Sequence, residues 1–272
     1  MRLNRLAAAA AVVVLSTGVL SACSGDEDTT PTSGSSDSKA DAQPASDDLT
    51  QETFTDAIVT AMQDAGSTHF KLTSTGSLPL TGEGDQVIGD DPSDSKMNIA
   101  MEVGGQKIEM RLVDQKVYFN MAALTSGKFA VVDLTDTSNP LVEQFGSLAG
   151  QVDLSEQIAG FGDAITAFEK GDGTEKIDGV DATPYEVTVD SKKALEAQGQ
   201  EVPAGTPESV TYTFFIGPDN LVRRLAVDVM GQGIQMDFSK WGEDVSVEAP
   251  SGDEISDVDL NQLMGGMAGA TG

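Results

Sequence analysis

The chain has 272 residues, with 44 acidic residues against 16 basic ones and a formal charge of −28. Such a balance excludes recruitment to nucleic acid, whose phosphates need Lys and Arg, and charge-driven binding to an anionic membrane. A solvated, salt-adapted surface accounts for the acidity without a specific cationic ligand.

Residues 1–5 read MRLNR, and Leu6 to Leu20 is apolar except for Ser16, Thr17 and Gly18. A basic start followed by a short apolar run is the layout of a secretory signal. The run is short of the roughly 20 apolar residues that a membrane span needs. It closes on Leu20-Ser21-Ala22-Cys23, which resembles a bacterial lipobox, and Cys23 is the only cysteine. An unpaired thiol is a liability in an oxidising compartment, and a diacylglyceryl thioether removes it. The sequence therefore predicts cleavage after Ala22, a lipid anchor on Cys23 and a place on the outer face of the cell membrane. The alternative is a soluble secreted protein with a stray thiol. Loss of residues 1–22 removes Arg2 and Arg5 and leaves 14 basic against 44 acidic residues, a charge of −30.

Residues 24–48 are rich in Ser, Asp, Thr, Pro, Gly and Ala, a disorder-type composition. About 25 such residues reach roughly 25–30 Å, enough to lift a domain off the bilayer. The stretch 251–272 is acidic and ends MGGMAGATG, and reads as a loose tail. Between them, 49–250 fits one domain with its own core.

The domain opens with TQETFTDAIVTAMQDA, where Phe54, Ile58, Ala61, Met62 and Ala65 share a helical face. Thr50 is the expected N-cap and Gly66 the expected stop. The period then changes to two, with Phe70, Leu72 and Ser74 alternating with Lys71 and Thr73. Residues 82–95 read as a Gly/Asp loop. Three clear strands follow: Met97, Ile99, Met101 and Val103 share a face, then Ile108, Met110 and Leu112, then Val117, Phe119 and Met121. Breaks at Gly104-Gly105 and Asp114-Gln115 make an antiparallel meander with one dry face, continued by 127–134.

Asn139-Pro140 reads as a helix start, with Leu141, Phe145 and Leu148 on one side. Leu154, Ile158, Phe161, Ile165 and Phe168 recur at helical steps, predicting an amphipathic helix loosened by Gly160 and Gly162 and ended by Gly171. Strands resume with Tyr185, Val187 and Val189. SKKALEAQG reads as a short helix. A hairpin turned at 217–220 aligns Tyr212, Phe214 and Ile216 with Leu221, Leu225, Val227 and Val229. Ile234, Met236 and Phe238 close the sheet. This order predicts an α+β domain with one large curved antiparallel sheet and helices on its concave face.

The covering helices either complete a filled core or leave a cavity. Methionines at 97, 101, 110 and 121 suit a surface that accepts varied apolar shapes, and a curled sheet capped by helices leaves room for a ligand. The predicted cavity lining is Met97, Ile99, Met101, Ile108, Met110, Leu112, Val117, Phe119, Met121, Phe161, Ile165 and Val227.

DGVDATPYEVTVD (178–190), FFIGPDNLVRRLAVDV (214–229) and DFSKWGEDVSVEAP (237–250), in that order after a lipobox and polar linker, resemble the LppX/LprG-like (LppX/LprA/LprF/LprG) actinobacterial lipoproteins. The resemblance covers roughly 49–250. It implies a U-shaped half-barrel with helices in its concavity, and a non-enzymatic role in binding an acylated lipid or glycolipid and helping to move it through the envelope, with an envelope transporter as a possible partner. It supplies no ligand motif to carry over.

Catalysis needs positioned acids, bases or nucleophiles, and no HExxH, GxSxG, CxxC or Walker pattern is present. No cofactor or metal is expected. His69, the one histidine, reads as a partly buried residue at a strand start. Asp85, Asp90, Asp91 and Asp94 could surround Ca²⁺, though their spacing is not that of an EF-hand and a solvated loop is the simpler reading. Trp241 reads as a packing residue at a strand end. The competing function is a closed interaction module that presents an acidic surface to an envelope protein.

Overall fold

A computed structural model describes residues 49–76, 79–89, 91–139, 141–142, 154–197, 202–203, 205–229 and 231–256. Cys23, the linker and the chain after 256 lie outside these residues.

Twelve strands form one sheet: β1 Ser67–Thr75, β2 Leu80–Val87, β3 Lys96–Val103, β4 Gln106–Val113, β5 Lys116–Met121, β6 Ala130–Asp133, β7 Ile165–Lys170, β8 Glu175–Ile177, β9 Val180–Asp190, β10 Ser209–Ile216, β11 Val222–Val229 and β12 Gln232–Ser239. Their spatial order is β6-β5-β4-β3-β2-β1-β12-β11-β10-β9-β7, with β8 also on β9. Two meanders thus run outward from a central seam, where β1 pairs antiparallel with β12 from His69↔Ser239 to Thr75↔Gly233. The terminal strands β6 and β7 do not meet, so the sheet is an open half-barrel. Among the described residues the bounded helices are α1 Phe54–Ala65, α2 Ala122–Thr125, α3 Leu154–Ala159 and α4 Ser191–Ala197, and 141–142 are also helical.

The first helix covers the dry face as its pattern dictates. Phe54, Ile58 and Met62 have no exposed surface, each worth about 1.5–3 kcal/mol relative to an exposed position. Gly66 ends α1 in a left-handed conformation (φ 73°), and its N–H donates to Met62 O at 3.0 Å. The start differs by a few residues. Thr50 O accepts from Thr53 N (3.1 Å) and Phe54 N (2.9 Å), so Thr50 closes a turn upstream of the helix instead of capping it.

Two stretches fold differently from expectation. Residues 82–87, read as loop, belong to β2. Glycines hide the alternation there: a Cβ on Gly84 would lie 2.0 Å from Asn98 O and 2.9 Å from Phe70 Cζ. The strand carries Gly because neighbouring side chains occupy the space above it. Similarly, Ile165 and Phe168 are not on a helix. After α3 a 3₁₀ turn at Gly162–Ala164 leads into β7, where Phe168 pairs with Val187. Glycines at 160 and 162 weaken the helix, β-branched Ile165 and Thr166 favour a strand, and β9 offers a free edge. The spacing of three from Ile165 to Phe168 reads as helical, and a bulge between Ile165 and Ala167 lets the strand accommodate it.

Asn139 begins a turn by accepting from Leu141 N–H at 3.0 Å, and Leu141 is buried. The expected positions Phe145 and Leu148 lie outside the described residues.

At the end of β12, Trp241 stacks on Phe238, which pairs with Phe70 on the dry face, with ring centroids 5.9 Å apart, and Trp241 Nε1 donates to Val222 O at 2.9 Å. The chain then doubles back along the opposite, outer face. Ser67 Oγ donates to Glu243 O, and Arg111 Nη1 to Glu248 O. Val247 is buried with Val113, Tyr118 and Phe129. Ile255 bridges Phe129 in parallel, and Phe129 N donates to Glu254 O at 2.7 Å. Residues 251–256 are thereby held against the start of β6.

Candidate functional site

The dry face is ordered by its turns. Val103 and Gln106 are joined by Gly104-Gly105 (φ 58° and 82°), and Val113 and Lys116 by Asp114-Gln115 (φ 51° and 57°). Two-residue loops with both φ positive fix the hairpin register. The register then stacks nine predicted residues in three rows: Met97–Leu112–Val117, Ile99–Met110–Phe119 and Met101–Ile108–Met121.

Burial grades across those rows. Met97, Ile99, Met110 and Val117 are between 2% and 7% exposed and join Phe54, Ile58 and Met62 in the core. Leu112, Phe119, Met101, Ile108 and Met121 are half-buried. The third row continues across the seam through Gly82, Leu72, Met236 and Leu225 to Phe214. Beside it, Ile234 pairs with Val227 and Val227 with Tyr212. Ile234 is 38% exposed. A band of apolar side chains therefore crosses the sheet, half-buried from Met121 to Met236 and buried at Leu225 and Phe214.

At the β9–β11 end the band meets an aromatic cluster. Phe54 makes edge contacts with Phe168 and Phe214 at 5.2 and 5.1 Å, and Phe161 lies 5.0 Å from Tyr212. Ile165 is buried, and its carbonyl accepts from Gln51 Nε2 at 3.1 Å. Phe161 and Tyr212 wall a cleft of about 390 Å³ with Ser191, Leu195, Val210 and Val229. Helix α4 is set there by Lys193 N–H donating to Asp190 Oδ1 (3.0 Å) and Ser191 N–H donating to Glu208 O (3.0 Å). Burial pushes the Tyr212 hydroxyl pKa up, so it stays a neutral donor. The cleft lining includes no charged side chain.

A larger outer-face groove of about 720 Å³ includes Val227 and is floored by Thr73, Thr75, Thr211 and Thr213. Ile99 and Met110 border a pocket of about 290 Å³ beneath Ser246 and Glu248. The twelve predicted residues thus divide. Phe161 borders the cleft and Val227 the outer groove, while Ile99 and Met110, though they reach the outer-face pocket, are packed in the core with Met97, Val117 and Ile165. Ser191, Leu195, Val210 and Tyr212 were not predicted as lining. Tyr212 and Val229 do alternate with the face that was read, but the position of α4 depends on chain folding that no local period encodes.

His69 lies within the sheet on the outer face, with Nδ1 2.8 Å from Asp85 Oδ1. Asp85 Oδ2 accepts from Asn98 Nδ2 at 3.3 Å. These partners account for the pair as a cross-strand polar link. Asp91 accepts from Ser93 N–H at 2.9 Å, which lowers its pKa; Asp90 lies outside the described residues. Among the described residues no group of three His, Cys, Asp or Glu side chains could hold a metal, and no helix is long and apolar enough to cross a membrane.

The fold class is an open antiparallel half-barrel with helices on its apolar face. LprF from Mycobacterium bovis aligns at a TM-score of 0.52 and 16% identity, covering 74% of this chain and 97% of LprF. Lipoprotein LppX from Mycobacterium tuberculosis aligns at a TM-score of 0.47 and 18% identity, covering 71% of this chain and 97% of LppX. The chain shares the fold of LprF, and the resemblance carried by residues 178–250 holds at the level of fold. No family model matches the sequence, and no curated protein matches it.

Proposed function

We propose that this chain is a non-enzymatic lipoprotein, anchored through Cys23 on the outer face of the cell membrane, that binds an acylated lipid or glycolipid and helps carry it through the envelope. The supporting observation is the half-covered apolar band from Met121 through Met101, Leu72 and Met236 to Val227, continuous at one end with the uncharged cleft. Acyl chains leave water for this surface at about 25 cal/mol per Å² of apolar area, and no bond is made or broken. The linker lets the domain move between the bilayer and an envelope transporter while Cys23 stays in the membrane.

Methionine methyl NMR tests the reading. With the ten methionines labelled, added monomyristoylglycerol should shift Met101, Met121 and Met236 most. Silence of all three methyls would overturn it.

A second reading has its own support. Phe54, Ile58 and Met62 fill the space above Met97 and Met110, as in a closed module whose acidic surface binds an envelope protein. Crosslinking that recovers a stoichiometric protein partner, together with silent methyls, would favour it.

A further inference from the structure

The cleft and the outer groove share a lip. Pro207, Val210 and Val229 border both, because β10 begins and β11 ends there. Inside the lip the lining is mostly apolar, with Gln157, Ser191 and Thr206 as its polar members besides Tyr212. Outside it lie Ser209, Thr211 and Thr213, with Asp228 and Gln235. An apolar chamber joined at its rim to a hydroxyl-bearing groove matches an amphiphile, chain inward and head outward.

Size and charge narrow the class. A methylene takes about as much room as a water molecule in the liquid, roughly 30 Å³, so a cleft of about 390 Å³ holds roughly a dozen carbons. The adjoining core is closed to further chains by Phe54, Ile58, Met62 and Phe214, all 0% exposed. Neither lining contains Lys or Arg, and the groove contains Asp228. A carboxylate or phosphate head would lose water there without gaining a cation, a costly exchange. One polar atom at the cleft wall awaits a partner: Ser191 belongs to the lining, and its Oγ, turned into the wall, makes no hydrogen bond, an arrangement costly to leave unsatisfied and relieved by rotation of the side chain toward a bound oxygen. Tyr212, half-buried, lies in the same lining.

Resting on the lipid-binding reading and deepening it, we infer that the site takes a single acyl chain of about twelve carbons bearing an uncharged, hydroxyl-rich head. The ester or glycosidic oxygens next to the chain accept from Ser191 and Tyr212, and the head's hydroxyls lie along the Thr211–Thr213 groove. Doubly or triply acylated molecules place at most one chain in this cleft.

The test is competition binding to the full chain below micelle concentrations. The probes are dodecyl maltoside, dodecanoate and a short diacylglycerol of equal chain length. Dodecyl maltoside should bind one-to-one and at least about tenfold more tightly than dodecanoate. Ser191→Ala should weaken it about fivefold, one ordinary hydrogen bond, without lowering the melting temperature. Val210→Trp, which fills the lip from a half-buried position, should abolish it. Equal binding of dodecanoate overturns the uncharged-head assignment. Diacylglycerol binding as tightly, and equally blocked by Val210→Trp, overturns the single-chain assignment. If none of the three binds, both this inference and the lipid-binding reading fall; if only diacylglycerol binds, and Val210→Trp leaves it unaffected, this inference falls alone.

Discussion

Phe70 lies directly over Gly84 on the neighbouring strand: a Cβ added to Gly84 would come 2.9 Å from Phe70 Cζ. On its other side the same Cβ would meet Asn98 O at 2.0 Å. The glycine lets β1, β2 and β3 approach while Phe70, 3% exposed, fills the space above. Gly84→Ala should therefore destabilise the domain by about 1–3 kcal/mol, the usual cost of overpacking. Denaturant titration measures it, and an unchanged midpoint would show that the strands separate freely.

Phe54 holds the aromatic cluster together, touching Phe168, Tyr185 and Phe214 with ring centroids 5.1–6.3 Å apart. Its ring is fully buried. Phe54→Ala should cost about 3–5 kcal/mol, read as a lowered denaturation midpoint with an unchanged slope. A loss below 1 kcal/mol would mean that α1 packs on the sheet without this anchor.

Two methionines on one face should respond differently to enlargement. Met110 is 6% exposed within the core, whereas Met121 is half-buried in the outer row. Met110→Trp should cost about 1–3 kcal/mol by overpacking. Met121→Trp should keep the melting temperature and reduce uptake of monomyristoylglycerol. Unchanged uptake in the Met121 variant would move the ligand off this band.

Glu254 closes a capping box with Ser251, accepting from Ser251 N–H at 2.9 Å and from Ser251 Oγ at 2.8 Å. These bonds hold its carboxyl below the usual glutamate range. A lowered pKa in the folded chain stabilises the segment above the unfolded value and loses that contribution as pH falls through the folded one. Protection of the Phe129 and Ser256 amides, measured as exchange relative to the intrinsic rate at each pH, should therefore fall on acidification through and below the usual glutamate range, before the central sheet opens. Glu254→Gln should remove most of that pH dependence. Exchange unaffected by either change would show that the Phe129–Ile255 bridge stands without the cap.

Much of the fold is legible because the chain obeys simple periods. Strict alternation with two-residue turns fixed β3, β4 and β5 and hence the nine-residue grid, down to which residues face one another. The step of four from Phe54 to Ile58 to Met62, and Gly66 after Ala65, marked α1 and its end. Other parts were hidden for physical reasons. Glycines at 82 and 84 erased the alternation of β2, since the apolar surface above them belongs to Phe70 and Met101. Ile165 and Phe168, three apart, fit a helix, and only a bulge between Ile165 and Ala167 on the free edge of β9 brings both to one face of a strand. The cleft was read in part: Phe161 carried the signal, but Ser191 and Leu195 reach it through a helix whose docking rests on Asp190 and Glu208, residues with no apolar pattern.

The most direct test of lipid carriage is native mass spectrometry of the full chain extracted from its own membranes, where intact mass separates the anchor on Cys23 from any non-covalent lipid. The expected result is a covalent diacylglyceryl mass on the cysteine and, in addition, one non-covalent lipid per chain at near one-to-one. A chain without non-covalent lipid, which also takes none from lipid vesicles, would contradict it and leave the closed interaction module as the better description.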